Sequence, residues 1–164
     1  MVSPFLSALL LTIAFTLPAH CAELTGRVVG VHDGDTVTLL DAGKVTHKIR
    51  LSGIDAPELG QAFGRRSKEN LSKLVFNKSV IVEWSKKDRY GRTVGKILVD
   101  GQDVNLEQVK AGLAWWYRAY AKEQSPEDQG RYERAEESAQ VSKRGLWGDP
   151  NPVPPWEWRQ SRRK

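Results

Sequence analysis

Cysteine and histidine are scarce in this sequence of 164 residues. Cys21 is the one cysteine, so no disulfide can form within the chain, and the fold must be stable through its core alone. The three histidines, His20, His32 and His47, do not have the spacing of zinc ligands. This argues against a zinc-dependent hydrolase.

The N-terminal residues 1–22 contain no charged side chain. This apolar stretch ends at Pro18, and small residues including Ala22 suit signal cleavage. We interpret residues 1–22 as an export signal and expect a secreted or periplasmic protein without stable membrane association after cleavage. A membrane anchor is the alternative, but the run barely reaches spanning length and contains two prolines. Lipid attachment at Cys21 is conceivable, although His20 before it fits such a signal poorly.

The chain as a whole has 27% charged residues and a formal net charge of +5, all of it after residue 22. Such a balance favours polyanions, and nucleic acid in particular, as partners. We find no internal repeat and expect one domain over residues 23–148, acting as a monomer. Residues 149–164 are rich in Pro, Trp and Arg, and we interpret them as an extended tail.

Alternating apolar residues and turn signals predict a mainly β protein. Strands are predicted over residues 24–31, 36–40, 45–51, 80–84 and 94–99. Helices are predicted over residues 61–76, from an N-cap at Asn105 to Gly112, and from Pro126 to Gly145. This order predicts an α+β fold, namely a five-stranded Greek-key barrel of the OB type with about three helices.

Polar clusters follow or precede the predicted strands. They are Asp33 and Asp35 before the second strand; Arg50, Asp55 and Glu58 after the third; and Arg89, Tyr90 and Arg92 before the fifth. Carboxylate and carbonyl oxygens are the ligands that Ca²⁺ prefers. Guanidinium groups and a divalent ion can stabilise the negative charge that develops on the oxygens of a phosphodiester during hydrolysis. A carboxylate can orient or deprotonate the attacking water.

The sequence resembles the staphylococcal (micrococcal) nuclease family in its exported form. The resemblance runs from about Gly26 to Trp147. Its motifs are DGDT at 33–36, RLSGIDAPE at 50–58, DRYGR at 88–92, GLAWWY at 112–117 and RGLW at 144–147. It implies a nuclease that hydrolyses phosphodiester bonds in DNA and RNA and depends on Ca²⁺.

The resemblance also implies roles for individual residues. Asp35 and Asp55 would bind the metal together with the main-chain carbonyl of Ala56. Many relatives have Thr at the position of Ala56, so a hydroxyl hydrogen bond is lost here while a backbone ligand is kept. Arg50 and Arg92 would hold the phosphate. Glu58 would act on the attacking water, either as a general base or by positioning it.

Other residues have both a functional and a structural interpretation. Arg89, Tyr90 and Tyr120 are candidates for substrate binding, through a terminal phosphate or base stacking, although the first two also suit a plain turn. Asp33 either shapes its turn or reaches the metal through water. His32 is a minor candidate for a general base. Trp115, Trp116 and Trp147 are expected to pack beneath the barrel.

Two rival functions follow from the same residues. A binding module that kept the fold and lost the chemistry would not need the two carboxylates, the glutamate and the two arginines together. A phosphatase acting on small esters would suit a narrower pocket with less need for an extended basic surface.

Overall fold

The computed structural model of this chain describes residues 22–163. The predicted export signal therefore lies outside the described residues, except for Ala22. The strands are β1 Ala22–Val31, β2 Thr36–Leu40, β3 Thr46–Leu51, β4 Ile54–Asp55, β5 Ser79–Lys87, β6 Thr93–Val99, β7 Gln102–Asp103 and β8 Trp115–Trp116. The α-helices are α1 Gly64–Val75, α2 Val104–Lys110, α3 Pro126–Val141 and α4 Pro155–Ser161, and short 3₁₀ helices cover Arg118–Glu123 and Gly145–Gly148.

Five strands close into a barrel. They lie in the order β3-β2-β1-β5-β6, and a parallel pairing of β3 with β6 joins the two edges. Closure removes the exposed edges that an open sheet would present to other chains. The predicted α+β fold with a five-stranded OB-type barrel is confirmed.

The barrel interior is filled by the apolar side chains that alternate along its strands. Val37, Leu39, Ile49 and Val82 are fully buried. Helix α1 covers the barrel with Leu71 and Val75, which are also fully buried. Burial of these side chains supplies the main favourable term for folding. None of the helices in residues 22–163 combines the length and the apolar character needed to cross a membrane.

The start of α2 differs from the prediction. The helix begins at Val104, and its N-cap is Asp103, whose carboxylate accepts a hydrogen bond from the Leu106 amide at 3.0 Å. The predicted N-cap at Asn105 is wrong, because that side chain is buried and binds backbone groups of the barrel. The predicted helix end is confirmed, since Gly112 has a positive φ of 65°.

The C-terminal tail also differs from the prediction of an extended segment. Residues 155–161 form α4, with Pro155 at the first helical position, where its missing amide hydrogen costs nothing. Trp156 stacks on Tyr117 with ring centroids 5.2 Å apart, and it meets Trp115 edge-on at 5.7 Å. Aromatic packing therefore folds the tail back onto the domain.

Asn105 generates a prediction about the stability of the barrel. Its Nδ2 group donates to the carbonyls of Ser52 and Gly95, at 3.0 and 3.1 Å, and its Oδ1 accepts from the Ile97 amide at 3.1 Å. Replacing Asn105 by Ala would remove this partner from the Ser52 carbonyl and the Ile97 amide, whereas the Gly95 carbonyl would still accept from the Ser52 amide at 2.9 Å. We expect the free energy of unfolding to fall by about 3 kcal/mol, measured by urea denaturation.

The matched control is Asn151→Ala, at an exposed loop position. We expect it to change the free energy of unfolding by less than about 0.5 kcal/mol. An Asn105→Ala variant as stable as the control would show that the buried amide does not hold the barrel together.

Candidate active site

Two buried carboxylates and an arginine meet where β2, β3 and β4 come together. Asp35 precedes β2 and is 6% exposed, while Asp55 in β4 is 1% exposed. Arg50 in β3 pairs in register with Thr36, the residue after Asp35. The Leu51 amide donates to the Asp35 carbonyl at 2.8 Å, so backbone pairing fixes the relative position of the two strands.

Arg50 binds both carboxylates. Its Nη1 lies 3.1 Å from Oδ2 of Asp35, and its Nη2 lies 3.0 Å from Oδ1 of Asp55. The Ala56 amide donates to the same Oδ2 of Asp35 at 2.8 Å. Three of the residues predicted for the metal site therefore lie together, with one of the predicted phosphate-binding arginines between the two carboxylates.

The turn before Asp35 is held by buried polar side chains. Nε2 of Gln108 donates to the Gly34 carbonyl at 2.7 Å and to the Ser67 carbonyl at 3.1 Å. A Cβ atom at Gly34 would come within 1.9 Å of Oγ of Ser67, so glycine is required for this close approach. Asp33 accepts a hydrogen bond from the Asp35 amide at 3.0 Å, which fits the prediction that it shapes the turn.

Burial raises the free energy needed to ionise the two carboxylates. The pKa of Asp35 is raised, chiefly because burial removes it from water, and Arg50 opposes this effect. The pKa of Asp55 is also raised by burial, against the hydrogen bond from Arg159 and the charge of Arg50. Both groups would be more easily ionised if a further cation lay beside them.

Arg159 in α4 is the second cation at this site. Its Nη2 lies 2.7 Å from Oδ2 of Asp55, and its Nη1 lies 3.2 Å from Oδ1 of Asp55 and 2.9 Å from Oε1 of Glu58. The Glu58 side chain is 40% exposed, so the guanidinium lies at the mouth of the site. The hydrogen bond to Asp55 raises the pKa of Arg159, and it therefore stays charged.

The donor set fits a hard divalent cation. Within residues 22–163, no three His, Cys, Asp or Glu side chains are grouped as metal ligands. The predicted set contains only two such side chains, Asp35 and Asp55, with a backbone carbonyl as the third ligand. Because both carboxylates are buried and their pKa values are raised, an added cation would stabilise their ionised forms.

The turn between β5 and β6 carries the other predicted basic residues. Parallel pairing sets Thr93 beside Ile49, so Arg92, directly before β6, lies close to the strand that carries Arg50. The Nε of Arg92 donates to Oδ2 of Asp88 at 2.7 Å. The structure thus pairs Arg92 with its own turn and not with the buried carboxylates.

The predicted substrate-binding residues lie on the surface. Arg89 and Tyr90 are exposed on the same turn, and Nη2 of Arg89 donates to the Tyr90 hydroxyl at 2.7 Å. Tyr120, in the 3₁₀ helix after β8, is 46% exposed, with Nζ of Lys86 5.3 Å from its ring centroid. The Tyr120 ring also lies 5.0 Å from that of Tyr117.

The histidine and tryptophan candidates contact other side chains of the fold. The Nε2 of His32 lies 2.7 Å from Oγ1 of Thr38, so this ring hydrogen bonds within the β1–β2 hairpin. Trp116 is 6% exposed, and Trp115 packs against Trp147 with ring centroids 4.3 Å apart. The three tryptophans are packing residues, as predicted.

Known proteins are similar to this sequence. Residues 48–149 match the family model described as staphylococcal nuclease homologue. A protein of Haemophilus influenzae named as an uncharacterized endonuclease is 43% identical over 152 residues, which are 92% of this chain and 82% of the relative. The chain belongs to the staphylococcal nuclease family. A micrococcal nuclease of Shigella flexneri is 41% identical over 149 residues, which are 85% of this chain and 83% of the relative. Family membership confirms the prediction of an enzyme that hydrolyses nucleic acid.

Sequence reasoning missed Arg159 as a site residue. Two signals could have indicated it: a proline suited to a helix start at position 155, and the spacing of Trp156 and Arg159, which puts both on one helical face. The aromatic stretch that includes Trp115 and Tyr117 then offers a partner for that face. In this nuclease, the site residue farthest from the family motifs comes from the tail.

The raised pKa of Asp35 generates a prediction about stability. An Asp whose folded-state pKa is raised contributes stability below its unfolded pKa, near 3.8, and this contribution is lost as pH rises through the folded-state pKa. Asp35→Asn should therefore raise the free energy of unfolding at pH 7, without divalent metal, by about 0.5–2 kcal/mol. Arg50 keeps Asp55 as its partner in this variant.

Thermal unfolding at pH 8, 6 and 4 in chelator would measure this effect. We expect the advantage of Asp35→Asn to shrink toward pH 4, where the wild-type Asp35 becomes protonated. Asp100→Asn, in an exposed turn, is the control and should show no such pH dependence. A variant less stable than wild type at pH 7 would contradict the prediction.

Proposed function

We propose that this nuclease depends on calcium and hydrolyses phosphodiester bonds in both DNA and RNA. The observation that carries the proposal is the bridge that Arg50 makes between Asp35 and Asp55, with Glu58 three residues beyond. This arrangement combines oxygen ligands, a phosphate-binding group and a carboxylate for water in one place. A protein that only binds nucleic acid has no need to bury two adjacent carboxylates.

Asp35, Asp55 and the carbonyl of Ala56 would hold the metal. All three ligands are oxygens on turns or strand ends, which suits the irregular coordination that calcium accepts. Bound calcium would offset negative charge on the phosphate oxygens as the reaction proceeds. The small number of carboxylates predicts modest affinity for calcium in the absence of substrate.

Glu58 would act on the attacking water. The water oxygen forms a bond to phosphorus while the bond to the leaving oxygen breaks, and Glu58 either accepts the water proton or holds the water in line. Its side chain is partly exposed, so both water and substrate can reach it.

Arg50 and Arg92 would bind the phosphate oxygens. Arg50 is fixed by two carboxylates and by the Leu51 carbonyl, to which its Nη1 donates at 2.9 Å. Arg92 is oriented by Asp88 through its Nε, which leaves its Nη groups as donors for a phosphate. Guanidinium groups fixed before the reaction stabilise the charge that develops on the phosphoryl oxygens.

Exposed basic and aromatic side chains would bind the nucleic acid chain on either side. Arg89, Tyr90 and Tyr120 are the candidates for contacts with phosphate and base faces. A cleft of about 570 Å³ is lined by residues from Leu59, which follows Glu58, to Arg66, including Phe63 and Arg65. Contacts with phosphates and base faces would not distinguish ribose from deoxyribose, in keeping with the proposed activity on both DNA and RNA.

We also propose that the enzyme acts outside the cytoplasm, secreted or periplasmic, as a monomer. The support is the uncharged stretch of residues 1–22, with its small residues near a cleavage site.

Calcium dependence is directly testable. We expect hydrolysis of single-stranded DNA and of RNA to require calcium and to stop on addition of chelator, while the far-UV circular dichroism spectrum stays unchanged. The fold should survive because the apolar side chains buried inside the barrel and under α1 supply its core. Loss of both activity and the spectrum would indicate a structural metal and contradict the proposal.

Two substitutions separate catalysis from binding. Glu58→Gln keeps shape and hydrogen bonding but cannot accept a proton, and Arg92→Lys keeps charge but loses the planar fork that matches phosphate oxygens. We expect each to lower kcat by about 10²–10³-fold with little change in KM, because the lost interaction is strongest in the transition state. Steady-state kinetics on one DNA substrate at fixed salt would measure both constants.

Glu69→Gln, on the exposed face of α1, and Arg27→Lys, on β1, are the matched controls and should retain wild-type kinetics. A raised KM with unchanged kcat would mean that Glu58 and Arg92 only hold the nucleic acid.

A further inference from the structure

The guanidinium of Arg159 occupies the oxygens that the proposed function assigns to calcium and water. The two oxygens of Asp55 together accept three guanidinium hydrogen bonds, one from Arg50 and two from Arg159. Two carboxylate oxygens offer about four acceptor sites in all. Little of Asp55 is therefore left for a metal ion while Arg159 stays in place.

Glu58 is held by the same side chain. Its Oε1 accepts from Nη1 of Arg159 at 2.9 Å, on the exposed side of the site. While this hydrogen bond is made, Oε1 of Glu58 is occupied and cannot accept a hydrogen bond from an attacking water. One side chain thus engages a proposed metal ligand and the proposed water-activating group together.

Besides the ion pairs of Arg159 itself, side-chain stacking and a hydrogen bond hold the segment that carries it. Trp156 stacks on Tyr117 and meets Trp115 edge-on, and Nε2 of Gln61 donates to the Val153 carbonyl at 2.5 Å. Helix α4 has seven residues, which is too short for a stable helix by itself. Its position therefore depends on these contacts, and a competing ligand can displace it.

We propose that α4 is an autoinhibitory segment, in which Arg159 competes with calcium and the substrate phosphate for Asp55 and Glu58. This inference rests on the proposed function of those two residues. In the closed state two guanidinium groups, of Arg50 and Arg159, face the three carboxylates of the site. In the open state Arg159 withdraws, the net negative charge of the site increases, and a divalent cation can replace it.

The competition has a measurable consequence. The apparent dissociation constant for calcium increases as the open fraction falls. If the open form is populated at about 10%, a common value for a minor state, calcium binds about tenfold more weakly than to an open site. Removal of Arg159 should restore the tighter binding.

Calorimetric titration of the purified protein with calcium alone, without nucleotide, tests the proposal. Arg159→Gln should lower the dissociation constant about tenfold relative to wild type. Arg162→Gln is the matched control, since it changes the same charge on the same tail, and Arg162 contacts Trp158 instead of the site. We expect its affinity for calcium to equal that of wild type.

A third variant separates displacement of α4 from a local effect of charge. Trp156→Ala removes the stacking contact but keeps Arg159, and it should also tighten calcium binding. Hydrogen exchange of residues 155–161 should become faster when calcium is added to the wild-type protein. If calcium binding became tighter in Arg159→Gln alone, and the hydrogen exchange of residues 155–161 did not change, the proposed autoinhibitory role of α4 would be wrong.

The outcomes also separate this inference from the proposed function. Equal calcium affinity in wild type, Arg159→Gln and Trp156→Ala would overturn autoinhibition and leave the calcium-dependent nuclease intact. Failure of all variants to bind calcium, with or without nucleotide, would overturn both.

Discussion

The candidate site depends on one buried interaction, the bridge from Arg50 to Asp35 and Asp55. Two carboxylates that are almost inaccessible to water repel one another, and each loses its hydration. A guanidinium between them offsets both effects, and its removal would leave buried charges unpaired, at a cost of about 3–5 kcal/mol. Pairing of β2 with β3 fixes the distance between Asp35 and Arg50. The hydrogen bonding of the barrel and the chemistry of the site therefore have the same geometric origin.

Buried amide side chains transmit that geometry to the turns. Gln108 joins α2 to the Gly34 turn, and Asn105 joins the same helix to β6 and to the turn before β4. Hydrogen bonds in the protein interior lock side chains and backbone more firmly than apolar contacts, which have no direction. Helix α2 contributes no side chain to the site, yet it fixes two of the turns from which the site is built. Such supporting contacts are what a site needs to hold its groups within fractions of an ångström.

Local alternation and turn residues predicted the barrel strands, and the resemblance to the nuclease family implied that Asp35, Arg50 and Asp55 act at one site. The sequence did not predict the N-cap of α2, since an Asn suited to capping can equally serve a buried network, and local pattern does not distinguish the two. The helix in the tail was missed because its stability comes from Trp156 packing on residues about forty positions away. A composition rich in Pro, Trp and Arg suggests an extended segment only when such long-range contacts are ignored.

The charge balance of the site relates the proposed metal ion to Arg159 of the tail. Asp35, Asp55 and Glu58 carry three negative charges against the single positive charge of Arg50, so the site without its tail is short of positive charge. A divalent ion and Arg159 are alternative ways to supply it, and both require oxygens of Asp55. Because the two cannot use the same oxygens at once, the proposal implies that any contact that stabilises α4 would weaken the binding of the ion. The packing of Trp156 would therefore be coupled to the metal affinity of carboxylates that it does not touch. If the nuclease depends on calcium as proposed, the sequence of the tail would adjust the calcium concentration at which the enzyme becomes active.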